Sequence, residues 1–383
     1  MRRLKILVAP NSFKNSLPAS DVAEAMKLGL HQSDLNCSIR LLPVGDGGDG
    51  TGILLCDFFK ASIIKTVVLD ALGRKIKTSF GFNKNNKTAI IELANASGLK
   101  LLQPFEYNVM AANTFGTGQL IKQALAAGAK KIIICIGGSA TIDGGAGILK
   151  ALGAFFFDAE ENEIESLPLF LNKLNRIDLS GLDKRIFYTE IIVLCDVENK
   201  LLGEEGAAKI FGPQKGASSQ NIVQLEKCLH KLKDVIFKET GNDVSIIKHG
   251  GAAGGVAGTL NVLLKASLVN GIEYFLQVTG FETALQECDV VITGEGCIDT
   301  QTLHGKAPFG VAKKAKEYNK YVIGVGGQII FSQEMEKYFD LLRGINEYET
   351  EIKTAIKNTR NNIIACMYKL GNTLAVKSFL KTE

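Results

Sequence analysis

Three stretches of this chain set acid or hydroxyl residues among glycines at the end of an apolar run: PVGDGGDGT at 43–51, CIGGSATIDGGAG at 135–147 and VITGEGCIDTQT at 291–302. Glycines let bare backbone N–H groups approach a ligand closely, which suits phosphate or another anion. The first stretch contains the spacing G-x-G-x-x-G in Gly45, Gly47 and Gly50, but it also carries Asp46 and Asp49. Like charges at ~4 Å repel by roughly 1 kcal/mol in water and by several at lower effective dielectric. Carboxylates fit beside phosphate when Mg²⁺ lies between them, or when they accept hydrogen bonds from substrate hydroxyls. The competing reading is plainer: the glycines serve turn geometry, and each loop Asp caps the next helix.

Other residues of catalytic type stand near such turns. Asp196 ends the apolar run of YTEIIVLCDV (188–197). Lys14 follows the first apolar run in APNSFKNS, Lys306 stands in GKAP and Lys215 in GPQKGAS. A lysine so placed meets phosphate or carboxylate as a point charge, or is a solvated residue at a helix start. Of the four histidines, His31 and His230 fall in helical stretches as surface or packing residues, while His249 and His304 neighbour glycines. The glycine spacing upstream of Gly305 and Lys306 is wrong for a P-loop, and the protein-kinase signatures, G-x-S-x-G and H-E-x-x-H are absent. A dinucleotide-binding fold expects its glycines after the first strand and an acid about 20 residues later. Asp70 meets the second condition, but the glycines come after the second predicted strand.

The elements that must position these residues are read from the hydropathy pattern. LKILVAP (4–10) and SIRLLPV (38–44) read as strands, PASDVAEAMKLGLHQ and GTGILLCDFFKA as helices. This β-α-β-α order implies a parallel sheet with helices packed on it, and ligands then bind beyond the strand carboxyl ends. From 63 the alternation of apolar and polar residues, with turns at ALGRK and NKNNK, predicts an antiparallel meander and entry to a second domain. Further on, KIIICIGG, YTEIIVLCDV, CDVVITGEG and YVIGVGG read as strands. FGTGQLIKQALAAGAKK, SQNIVQLEKCLHKLKDVIFKETG, GGAAGGVAGTLNVLLKA, GKAPFGVAKKAKEYN and the tail 348–380 read as helices.

Bulk properties narrow the function classes. Net charge is +4 over 44 basic and 40 acidic residues without a long basic run, which argues against a nucleic-acid or membrane surface. Glycine is clustered and numerous, 40 of 383 residues, against roughly 7% on average. The eight cysteines are scattered, with no C-x-x-C, as expected of buried thiols in a reducing cytosol. Without a signal peptide pattern or a membrane-length apolar run, a cytoplasmic protein is expected.

Taken together, APNSFKNSLPASDVAEAM, PVGDGGDGT, GTGQLI, GGSATIDGGAG, CDVENKLLGEEGAAKIFGPQKGA, GGAAGGVAG and VITGEGCIDTQTLHGKAPFGVAKKAK resemble the bacterial type-1 glycerate kinases. The match is collinear from about residue 5 to 330. The resemblance implies an α/β protein of two domains with a cleft between them. One is a flavodoxin-like parallel-sheet domain from the chain ends (1–62 with 285–383); the other is a mixed α/β domain with the meander (63–284). It implies ATP-dependent phosphorylation of D-glycerate with Mg²⁺, commonly to 2-phosphoglycerate, by a monomer or homodimer.

Carried onto this chain, Asp196 or Asp143 orients or deprotonates the hydroxyl, with Lys14 and Asp46 also catalytic. Ser12, Lys14, Asp49, Arg74 and Lys306 meet glycerate or the moving phosphoryl group. Gly137, Gly138, Ser139, Gly144, Gly254 and Gly255 hold ATP phosphates, and Glu295 and Asp299, or Asp46, hold Mg²⁺. The chain departs from the family pattern at four positions: Asn11 for Asp, Asp49 for Glu, Ile142 for Asn and Cys297 for Arg. These departures leave two alternatives beside the kinase, a kinase of a related small hydroxy acid and a ligand-binding relative with weakened turnover; the G-x-G-x-x-G spacing leaves a third, a nicotinamide-dependent dehydrogenase using Gly45, Gly47, Gly50 and Asp70.

Overall fold

A computed structural model describes residues 3–346 and 351–380. Among these, the strands in chain order are β1 (Leu4–Val8), β2 (Cys37–Leu41), β3 (Ser62–Leu69), β4 (Lys75–Asn83), β5 (Thr88–Glu92), β6 (Lys131–Cys135), β7 (Phe155–Phe157), β8 (Arg176–Asp178), β9 (Glu190–Cys195), β10 (Ser267–Asn270), β11 (Val290–Ile298), β12 (Tyr321–Ile329) and β13 (Leu341–Gly344). The chain forms two compact units, residues 1–46 with 272–383, and 47–271.

The first unit holds a five-stranded sheet in the order β13-β12-β11-β1-β2, every neighbouring pair parallel. Numbered within the unit this is 5-4-3-1-2, the flavodoxin-like order, and the chain reverses direction of travel across the sheet between β1 and β11. Helix Ala19–His31 buries Val22, Ala23, Ala25, Met26, Gly29 and Leu30, a stripe at helical spacing that faces the core. It packs on helix Ile352–Leu380 closely enough that a Cβ at Gly29 would lie 2.4 Å from Ile364 O.

In the second unit six strands run β10-β9-β6-β5-β4-β3. The β3–β4 and β4–β5 pairs are antiparallel, which is the predicted meander, and β5, β6, β9 and β10 are mutually parallel. Ile132, Ile133 and Ile134 of β6 are fully buried, because a central parallel strand is covered on both faces. Ile132 and Ile134 join a core with Leu120, Leu149, Phe156 and Leu229. β7 and β8 form a separate antiparallel pair.

The predicted elements are present, with differences at their limits. The change of pattern at 63 marks where the meander starts, but helix Thr51–Phe59 already lies in the second unit, and the return to the first unit falls at 271/272 rather than 284/285. β10 and β13 have four residues each and too little apolar alternation to stand out in the sequence. In the stretch Ala252–Leu264, Ala253, Gly254 and Gly255 take left-handed dihedrals and break the predicted helix start. The tail is helical from Ile352, while 347–350 lie outside the described residues. No helix among the described residues is long and apolar enough to cross a membrane.

Candidate active site

In the first unit the carboxyl ends of the strands flanking the reversal collect acids. After β1 the chain continues beside β11, with Ala9 N donating to Ile292 O and Asn11 N to Gly294 O. That extension carries Asn11, whose Nδ2 donates to Asp46 Oδ2 at 3.0 Å, while its Oδ1 accepts from Ser12 N at 2.8 Å. Glu295, on β11, is 9% exposed and accepts from Thr302 Oγ1 at 2.8 Å. Burial pushes its pKa up to about 7, against the pull of Lys306 and Thr302, with Asp46 and Asp299 pushing it further up. Asp299 accepts from Thr302 N at 3.1 Å and caps the turn Thr300–His304, as the plainer reading of a loop Asp anticipates. Lys306 Nζ lies 3.8 Å from Asp299 Oδ1. Lys14 is exposed in the turn after Phe13. The His304 side chain lies outside the described residues.

The second unit gathers a glycine loop and a buried cation at the carboxyl ends of β6 and β9. A Cβ on Gly137 would meet Gly48 Cα at 2.4 Å and Asp196 Oδ2 at 3.1 Å, so only glycine lets the loop pass the Gly48 backbone with Asp196 alongside. Gly138 is exposed with φ 74°, and Ser139 is nearly buried. Lys215 reaches this loop, Nζ donating to Ser139 Oγ at 2.7 Å and to Thr141 O at 2.8 Å.

Asp143 is fully buried and accepts from Thr114 N, Thr114 Oγ1, Gly145 N and Gly147 N at 2.7–3.1 Å. Its pKa is raised by burial, which outweighs those four donors. Asp143 thus ties the loop to the start of helix Phe115–Ala126. Gly144, Gly254 and Gly255 are buried and pack loop on loop: Gly144 N donates to Gly254 O at 3.0 Å, and a Cβ at Gly254 would fall 2.2 Å from Thr141 O.

Two predicted contacts are engaged within the second unit. Asp49 pairs with Lys100, which also faces Glu92 at 3.8 Å. Arg74 binds Asp70 at 2.6 Å and Glu106 at 2.5 Å. Asp70 is itself buried in the β3–β4 turn, accepting from Leu72 N and Arg74 N, which ill suits the ribose contact of a dinucleotide site. His249 is buried with Nδ1 at 2.6 Å from Val197 O.

Sequence reasoning passed over Glu92, Lys100, Thr114 and the buried role of Lys215. Glu92 carried a legible signal, since it ends the apolar run TAIIE as Asp196 ends IIVLC. Its carboxylate accepts from Gly52 N at 2.7 Å at the start of helix Thr51–Phe59. Among the described residues, no three His, Cys, Asp or Glu side chains gather into a metal-holding group.

Residues 6–375 match the glycerate kinase family. The chain is 41% identical over 379 residues to the glycerate 2-kinase of Escherichia coli (strain K12), covering 97% of this chain and 98% of that one. It is also 41% identical over 379 residues to the glycerate kinase of Bacillus subtilis (strain 168), covering 97% and 99%. A crystal structure from Salmonella typhimurium LT2, named as a glycerate kinase 2, superposes with a TM-score of 0.82 at 39% identity, covering 98% of this chain and 100% of that one. These likenesses define a phosphotransferase. More particularly, the chain belongs to the glycerate kinase family.

Proposed function

We propose that this chain transfers the terminal phosphoryl group of ATP to D-glycerate, giving 2-phosphoglycerate. The observation that carries this reading is the near full-length likeness to proteins named glycerate kinase. Phosphoryl transfer needs positioning and charge neutralisation more than a strong base. Mg²⁺, when bound with ATP, neutralises charge on the phosphoryl oxygens. Glu295 and Asp46 are hard oxygen donors of the right kind to hold it, and Mg²⁺ is commonly bound by one or two carboxylates plus phosphates rather than by an all-protein cage. Asp299 is the weaker donor, because its Oδ1 already caps Thr302.

Asp196 serves best as the carboxylate that orients or deprotonates the glycerate hydroxyl, since it is only half-buried and lies against Gly137. Asp143 gives its oxygens to two donors of its own loop and two of Thr114, and acts by holding the loop to the start of helix Phe115–Ala126. Gly137, Gly138 and Ser139 receive phosphate, while Gly144, Gly254 and Gly255 buttress them. Ser12, Lys14 and Lys306 meet anionic oxygens of glycerate or the moving phosphoryl group.

The departures from the family pattern are accommodated. Asn11 donates to Asp46 and so orients it, where a second carboxylate would repel it. Ile142 is fully buried in the apolar core, and Cys297 Sγ lies 3.8 Å from Asp299 Oδ2. Coupled measurement of ADP with and without D-glycerate tests the reading; a rate that ignores glycerate would overturn it.

A further inference from the structure

Lys215 is 3% exposed, an unusual place for an ammonium group. It ends the turn Pro213–Lys215, before Gly216 at φ 85°, and its side chain runs inward to the glycine loop. Two acceptors, Ser139 Oγ and Thr141 O, satisfy a neutral amine, whereas an ammonium has a third N–H left over. The titratable groups facing it are Asp143 and Asp196, and the Phe211 ring centroid stands 6.0 Å from Nζ. Burial drives its pKa down to about 7, against the pull of the two carboxylates. Ser139 Oγ accepts from Lys215, so the serine O–H is left to donate. Among the described residues the N–H groups of Gly138 and Ser139 have no acceptor, and the buried Thr141 Oγ1 in the same loop has no hydrogen-bond partner.

We propose that Lys215 is the positioning residue of this loop for an oxyanion: it holds Ser139 so that its O–H donates beside Gly138 N–H, and takes up one proton from solvent when the anion arrives. The lone pair of the amine accepts that proton, and the incoming charge stabilises the resulting ammonium inside the loop. The assignment rests on the proposed function in taking the oxyanion to be either the ATP phosphates or the glycerate carboxylate.

The test is titration calorimetry at ~pH 8 in two buffers of different ionisation enthalpy, with ATP alone in one arm and D-glycerate alone in the other. In one arm the wild type takes up roughly half to one proton, and that arm identifies the ligand. Lys215→Met, confirmed folded by its melting curve, shows no uptake and binds at least about 10-fold more weakly, the worth of a lost charge-assisted hydrogen bond. Lys215→Arg keeps a fixed charge, so it binds without proton uptake and stands in where the methionine variant fails to fold. No uptake by the wild type in either arm, or uptake and affinity unchanged in the variants, would overturn the role of Lys215. Proton uptake without glycerate-dependent ADP formation would instead sink the kinase reading and leave Lys215 in place. Wild-type kcat, KM and pH profile in a folded Lys215→Met would do the reverse.

Discussion

The carboxyl edges of the two sheets carry opposite chemistry. In the first unit the edge is acidic: Asp46, Glu295 and Asp299, with Asn11 and Thr302 donating into them. In the second unit the edge is a glycine loop backed by the buried Lys215 and knotted by Asp143. Each edge holds an ionisable group that burial moves toward neutrality from the opposite side, Glu295 upward and Lys215 downward, both to about 7. On the proposed function the acidic edge takes the cation and the glycine loop takes the anion, with the half-buried Asp196 beside that loop for the acceptor hydroxyl. The strand order sets where the ligand sits, and the loop residues set its charge.

The comparison breaks first at Asp46. Asp46→Ala removes a carboxylate from the acidic edge and lowers turnover by about 10²–10³-fold with little change in melting temperature, as loss of a positioned charge does elsewhere. Steady-state kinetics beside a melting curve check this, and wild-type turnover would remove Asp46 from the chemistry. The glycine-loop edge responds the other way. Asp143→Ala strands Thr114 N, Gly145 N and Gly147 N without an acceptor, each costing about 1–3 kcal/mol when buried, so stability falls first and turnover with it. Denaturant unfolding measures the loss.

The two displaced groups give a smaller effect with opposite signs. Glu295 titrates higher folded than unfolded, so its contribution to stability is full below the ordinary glutamate value and is lost as pH rises to about 7. Lys215 titrates lower folded than unfolded, so its burial penalty is full below pH about 7 and is relieved as pH rises to the ordinary lysine value. The melting temperature of wild type relative to Glu295→Gln therefore falls across the acid window. Relative to Lys215→Met it rises across the alkaline one. Equal slopes would erase the contrast. The least effect belongs to Arg74→Met. Its partners are Asp70 in the β3–β4 turn and Glu106 in the turn Pro104–Glu106, so KM for glycerate stays near the wild-type value. A large rise in KM would return Arg74 to the substrate.

Much of this was legible in the sequence, for reasons visible in particular residues. KIIIC announces a strand covered on both faces, and the alternation of 62–92 announces the meander, because burial imposes period and run length directly. Asp46, Asp196 and Glu295 stood out as candidates because each follows an apolar run among glycines or other turn residues, although β11 continues past Glu295 to Ile298. Pairing across distance was not. Nothing local in GPQKGAS says that Lys215 turns inward to Ser139, and nothing in IDGG says that Asp143 serves Thr114, a residue 29 positions earlier. Arg74 illustrates the converse: its charge was plain, but its commitment to Asp70 and Glu106 depends on the turn geometry.

The most direct test of glycerate phosphorylation is a coupled assay of ADP release by the wild-type protein with MgATP, with and without D-glycerate, with the product resolved as 2- or 3-phosphoglycerate. The predicted result is ADP formation that depends on D-glycerate, matched mole for mole by 2-phosphoglycerate. ADP formation indifferent to D-glycerate, or none, would contradict it.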